Sequence, residues 1–150
     1  MTKVFLKIFS SFLLLVSSYT YAQPLPVNSS EYKQLQAMGY DIKSNDPNWS
    51  VVSFDGEKYA LQKQSDRVVI AKYFTRKKNL NQQQELELYR VINKITIDYL
   101  YQIGLGEDYI AFVIYVYGPY DSKTFSKLMK YIENTEKVLD EYPEISKLIN

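Results

Sequence analysis

Tyr109-Ile-Ala-Phe-Val-Ile-Tyr-Val-Tyr-Gly118 decides the fold of this 150-residue chain. The run is apolar or aromatic almost throughout, and its spacing predicts a strand. Ile110, Phe112, Ile114 and Val116 would line one face, and Tyr109, Ala111, Val113, Tyr115 and Tyr117 the other. A half-exposed strand alternates apolar with polar residues, so a strand apolar on both sides needs cover on both. It is therefore expected at the centre of a sheet.

The segments around it supply that sheet. Trp49–Phe54 and Glu57–Gln64 flank Asp55-Gly56, a dipeptide that tolerates the positive φ of a type I′ hairpin turn. A two-residue loop sets Phe54 opposite Glu57, Val52 opposite Tyr59 and Ser50 opposite Leu61, so Val52, Phe54, Tyr59 and Leu61 share a face assigned to the core. Ser65-Asp66 turns the chain into a third strand, Arg67–Thr75, and the basic run Arg76-Lys77-Lys78 after it reads as a solvated loop. Thr96–Ile103 alternates Ile97, Tyr99, Tyr101 and Ile103 on one face, and Gly104–Asp108 turns it into the Tyr109 strand.

Helices alternate with these strands. Ser29 or Ser30 caps a short one carrying Tyr32, Leu35 and Met38, with Gly39 as its stop. Asn79 or Asn81 opens a second, whose stripe is Leu88, Val91, Ile92 and Ile95. Asp121 or Ser122 caps a long last helix with Phe125, Leu128, Met129, Ile132 and Leu139 on its apolar side, until Pro143 breaks it. The order is α-β-β-β-α-β-β-α, which specifies an α+β fold: an antiparallel sheet with helices packed on it.

The N-terminus reads as an export signal. Lys3 and Lys7 precede the apolar run Ile8–Val16, and Thr20 and Ala22 are small residues suited to cleavage after Ala22. The expected organisation is a signal peptide over 1–22, an extended leader over 23–30 and one α+β domain over 31–150. The apolar run is short of the ~20 residues of a membrane span, so no stable membrane insertion is expected after cleavage. The expected location is periplasmic or secreted. Cleavage removes two of the 18 basic residues, leaving a mature chain near neutrality against 17 acidic ones. That balance argues against a nucleic-acid partner.

The chain contains no histidine and no cysteine. Disulfides, Ser-His-Asp and Cys nucleophile chemistry, and thiolate or imidazole metal sites are thereby excluded. Carboxylates remain as candidates: Glu107 with Asp108, or Asp98 if the last two strands bring it near Glu107, for acid/base work or calcium. They read more simply as solvated turn residues. Gly104-Leu-Gly106 lacks the following helix that a phosphate loop needs. Asn93, among apolar helix residues, faces solvent or satisfies local backbone. No catalytic residue, cofactor or metal is expected.

Tyrosine is the feature above background, with 15 in the chain. Its ring buries apolar area while the hydroxyl keeps a partner, which enriches it at interfaces. Pairing of the last two strands would set Tyr99, Tyr101, Tyr115 and Tyr117 on one side of the sheet as a candidate binding or dimer surface. The alternative is that helices cover them as core tyrosines.

The element order, the early Asp-Gly hairpin, the helix carrying Leu88-Tyr-Arg-Val-Ile-Asn93, the ribbon containing Phe112-Val-Ile-Tyr-Val-Tyr-Gly118 and the closing helix together resemble the YbjN family and the type III secretion chaperone fold. The resemblance spans residues 31 to 142. It implies a non-enzymatic protein-binding module that pairs as a homodimer through its later strands and second helix and takes segments of another envelope or exported protein. An immunity protein neutralising a periplasmic toxin is the alternative, and a small-ligand carrier or carboxylate-based enzyme the remaining one.

Overall fold

The computed structural model describes residues 22–43 and 46–149; the expected signal segment, Ala22 apart, lies outside them. The helices are α1 (Ser30–Ala37), α2 (Gln82–Asp98), α3 (Ser122–Glu133), α4 (Thr135–Glu141) and α5 (Pro143–Ser146). The strands are β1 (Asp41–Lys43), β2 (Ser50–Phe54), β3 (Glu57–Lys63), β4 (Arg67–Thr75), β5 (Gln102–Leu105) and β6 (Tyr109–Tyr117). The six strands hydrogen-bond in the order β1-β2-β3-β4-β6-β5, and the fold is α+β with an antiparallel sheet. By compactness the chain divides into two units. One contains Tyr73–Phe112 and the chain from Glu136 onward, the other the described residues up to Lys72 and Val113–Thr135.

In the second of these units, the hairpin register follows from its turn. Asp55 and Gly56 both take positive φ, 50° and 81°, and Phe54 pairs with Glu57, Val52 with Tyr59 and Ser50 with Leu61. Val52, Tyr59 and Leu61 are buried as the register requires. Phe54 is not. It is 40% exposed, packing one side on the Tyr40 ring at 5.1 Å, because it closes the hairpin where the sheet runs out. β1, too short to show a period in the sequence, pairs with β2.

The expected 23–30 leader is extended only at its start and is anchored there: Val27-Asn28 form a turn, with Ser29 N–H donating to Pro26 O at 2.8 Å, and Ser30 already opens α1. Gln23 exchanges both backbone hydrogen bonds with Lys63, at 3.0 and 2.8 Å, and Leu25 N–H donates to Ser50 Oγ at 3.0 Å with the Leu25 side chain buried. β2 begins at Ser50, opposite Leu61, so the Lys63 backbone lies beyond its reach and Gln23 satisfies it. Ser29 caps α1 by accepting from Tyr32 N–H at 3.2 Å, and Glu31 is buried against the Lys63 ammonium. Tyr40 donates its hydroxyl to Glu133 of α3. Asp121 caps α3 through Thr124 N–H at 2.7 Å, and hydrogen bonding from the Thr124 side chain and then its N–H holds the Asp121 carboxyl below its usual range.

The last long helix is two helices. Asn134 caps α3, its side-chain amide donating to Lys130 O at 2.8 Å, and buried Thr135 donates to Ile132 O. These side-chain bonds compete with the backbone ladder and interrupt it before Pro143 is reached.

In the other unit, Asn81 opens α2 with a capping box, its side chain accepting from Gln84 N–H while Gln84 Oε1 accepts from Asn81 N–H, each at 2.9 Å. Leu88, Val91, Ile92 and Ile95 are its buried stripe. The expected strand over Thr96–Ile103 is corrected here. The helix continues through Asp98, closed by Tyr99 N–H to Ile95 O at 2.9 Å, and the strand is only Gln102–Leu105. Thr96 and Ile97 are both exposed and off the buried stripe, so their side chains do not oppose helix, and the turn already propagating from Ile95 prevails. Arg76, read as part of a solvated loop, is instead largely enclosed, paired with Glu85 and donating to Gly106 O at 3.2 Å.

β6 lies between β4 and β5, one strand in from the edge and off the centre of the sheet. Residues 109–114 are nonetheless buried on both faces, which accounts for their unbroken apolar sequence.

Several tyrosines couple this packing to pH. Burial pushes the Tyr40 hydroxyl far above its ordinary value of 10.0, and the bond to Glu133 adds to it. Tyr142 is pushed up to about 12, chiefly by donating to Asp98, at 2.7 Å. Burial also raises Tyr109 and Tyr115. The folded state thus holds these protons more tightly than the unfolded chain, so their contribution is complete below pH 10 and is lost as pH climbs above it. Tyrosinate absorbance in an alkaline titration is expected to rise cooperatively with loss of circular dichroism. Smooth ionisation of every tyrosine near pH 10 without unfolding would contradict this.

Candidate functional site

Of the four predicted tyrosines, Tyr115 and Tyr117 come together on the last turns of β6. Two residues apart in a strand, they project from the same face. The antiparallel neighbour is the start of β4, with Gly118 N–H donating to Asp66 O at 3.3 Å. This pairing delivers Arg67 to the two rings. Its guanidinium carbon lies 5.2 Å from the Tyr115 centroid and 5.4 Å from that of Tyr117, and the rings are 6.1 Å apart at 36°. Both distances are within cation–π range.

Arg67 is fixed from several directions. Its Nη1 donates to the Tyr117 hydroxyl at 2.9 Å, its Nε donates to Gln64 Oε1 at 2.7 Å, and Asp66 Oδ1 is 3.7 Å away. Gln64 in turn donates to Gln62 Oε1 at 2.8 Å. Both glutamines are buried, and buried amides are tolerable only when bonded. The chain Gln62–Gln64–Arg67–Tyr117 therefore runs from the interior to a ring that is 60% exposed. Burial raises the Tyr115 hydroxyl, while Arg67 pulls it down and the neighbouring Tyr117 raises it further. The cluster offers a flat aromatic area, a fixed donor fork and a hydroxyl at its rim.

Tyr99 and Tyr101 belong to the other unit and serve differently. Tyr99 caps α2, donates to Glu141, and stacks on Tyr101 at 6.1 Å and 28°. Tyr101 is 2% exposed and meets Phe112 edge-on at 5.4 Å. Tyr101 is thus a core residue, not a surface one, because the chain linking α2 to β5 turns its ring inward onto Phe112.

Asp98 accepts from Tyr142, Glu107 is exposed in the β5–β6 turn and Asp108 is half-buried. Among the described residues no group of three acidic side chains is arranged to hold a metal ion, and no helix is long and apolar enough to cross a membrane.

Sequence reasoning missed Arg67, Gln62 and Gln64. A signal was present: two glutamines at a strand spacing of two, both on one face and followed by an arginine at the next strand's first position. No family model matches the chain, and no curated protein or solved structure is significantly similar to it.

Proposed function

We propose that this chain is an exported, non-enzymatic protein-binding module, built on a secretion-chaperone-like α+β fold, that recognises another envelope or exported protein and also pairs with itself. The observation that carries the reading is the Arg67–Tyr115–Tyr117 cluster. Tyrosine and arginine are the residues most enriched at interface hot spots, and an anchor already held in its bound conformation loses little entropy on binding. Here buried Gln64 holds the arginine and the arginine holds the ring. Histidine and cysteine are missing from the whole sequence, which agrees with a binding role.

The test compares the parent protein with Tyr117→Ser and Arg67→Gln, each used as bait against envelope extract with bound proteins quantified by mass spectrometry. Tyr117 is exposed and its loss leaves the fold standing, as a thermal melt verifies. One stoichiometric partner is expected with the parent, reduced at least ~10-fold with either variant, since a hot-spot truncation costs about 2 kcal/mol. Equal recovery by parent and both variants would remove the cluster from the interface and the reading with it.

A further inference from the structure

The donors of the Arg67 cluster are only partly used. Arg67 Nε is committed to Gln64 and one Nη1 hydrogen to the Tyr117 hydroxyl. The other Nη1 hydrogen and both of those on Nη2 have no hydrogen-bond acceptor among the described residues. The Tyr117 hydroxyl accepts from Arg67, so its own proton is left to donate to a ligand. The two donor atoms lie 2.9 Å apart. An oxyanion beside them can accept from a cationic N–H and a phenolic O–H together, which is charge-assisted hydrogen bonding.

Charge and reach limit which oxyanion fits. Asp66 Oδ1, 3.7 Å from Arg67 Nε, offsets part of the guanidinium charge, and Lys63 on the adjoining strand is already paired with buried Glu31. The single charge of a carboxylate is balanced there, whereas the nearly double charge of a phosphate is not. The Arg67 side chain is 17% exposed and Tyr117 beside it 60% exposed, so the acid must reach past the edge of the ring. Glutamate does so with methylenes that lie against the ring. Aspartate is one methylene shorter, and a chain terminus would set its own amide on the ring face without a partner.

We infer that the Arg67–Tyr117 rim seats a glutamate side chain of the protein partner, its carboxylate accepting from Arg67 Nη1 or Nη2 and from the Tyr117 hydroxyl. The inference rests on the protein-binding reading above and adds the chemistry of the residue that is recognised. Tyr115 makes no bond to the ligand. Its ring backs the guanidinium at 5.2 Å and, with Gln64, keeps it in place before the acid arrives.

The test applies the purified parent protein to an array of end-capped peptides of randomised sequence. The strongest binders are then remade with glutamine, lysine or phosphoserine in place of each glutamate, and with free C-termini. Binders are expected to carry glutamate at one position, where glutamine weakens binding at least ~10-fold. Tyr117→Phe keeps the ring and the fold but removes one donor, and the preference for glutamate over glutamine is expected to fall about 5-fold. Arg67→Gln is expected to abolish the preference and Arg67→Glu to reverse it in favour of lysine, with thermal melts checking that each variant is folded. A parent that binds no peptide, or binds the glutamate and glutamine versions alike, overturns the inference. So does a preference unchanged by Tyr117→Phe or by Arg67→Gln, tighter binding of phosphoserine, or binding only to peptides with free C-termini. Any of these results beside loss of the envelope partner with Tyr117→Ser leaves the protein-binding reading standing, whereas equal recovery in that experiment removes the reading itself.

Discussion

Phe112→Asp is expected to abolish cooperative folding. Phe112 has no exposed surface and sits between two rings, edge-on to Phe74 at 5.6 Å and to Tyr101 at 5.4 Å. Its strand neighbours Ile110, Ala111, Val113 and Ile114 are buried as well, so a carboxylate placed there has no route to water. Lost ring packing and an unpaired buried charge together cost on the order of 5 kcal/mol or more, against a total stability of ~5–15 kcal/mol. Circular dichroism melts are the measurement. Phe112→Leu, which keeps an apolar side chain of comparable size, is expected to lose only about 1–2 kcal/mol. A Phe112→Asp melt as sharp as the parent's and at a similar temperature would mean that this strand is not interior.

The second large effect falls on a residue with no side chain. A Cβ on Gly106 would lie 2.0 Å from one ring carbon of Tyr109 and 2.5 Å from two others. The ring cannot swing away easily, since Tyr109 is 2% exposed and packs edge-on against Tyr73 at 5.7 Å. Gly106 N–H also bonds Tyr109 O at 3.0 Å, which ties the two backbones together at the β5–β6 turn. Gly106→Ala is therefore expected to cost about 3 kcal/mol by overpacking, measured as the free energy of urea unfolding. In a Tyr109→Leu background the same substitution should cost less than about 1 kcal/mol, because the clashing ring atoms are gone. Equal costs in the two backgrounds would show that the ring is not what excludes a side chain from position 106.

Both predictions draw on features that the sequence reveals unequally. Phe112 is legible: an apolar residue in an unbroken apolar strand has no other place to be. Gly106 is not, because glycine in a Gly-Leu-Gly-Glu-Asp turn looks like ordinary turn chemistry, and only the position of the Tyr109 ring gives it a steric role. The hairpin at Asp55-Gly56 and the span of β4 were equally open to reading, and each helix cap was narrowed to two neighbouring candidates, of which the structure uses Ser29, Asn81 and Asp121. Each depends on residues within a few positions of one another.

The candidate site divides along the same line. Tyr115 and Tyr117 were visible as a strand pair, and their being neighbours is a matter of alternation. Arg67, fifty residues earlier, joins them only because β4 and β6 pair antiparallel, and no local pattern announces that pairing. Tyr101 fails as a surface residue for a similar reason. Period-two alternation placed it beside Tyr99 on a strand, but the α2 turn continues past Thr96 and carries both rings onto Phe112, Glu141 and Tyr142.

The sequence by itself determined the α+β class, the hairpin register and most element boundaries, because hydrophobic period, turn dihedrals and capping act over short separations. Only the tertiary structure decided that β6 lies next to the edge strand and that Gln62 and Gln64 hold Arg67 against two tyrosines. Those facts depend on which distant segments pair, and pairing is selected by the burial of whole faces together. No single stretch of this chain encodes that selection.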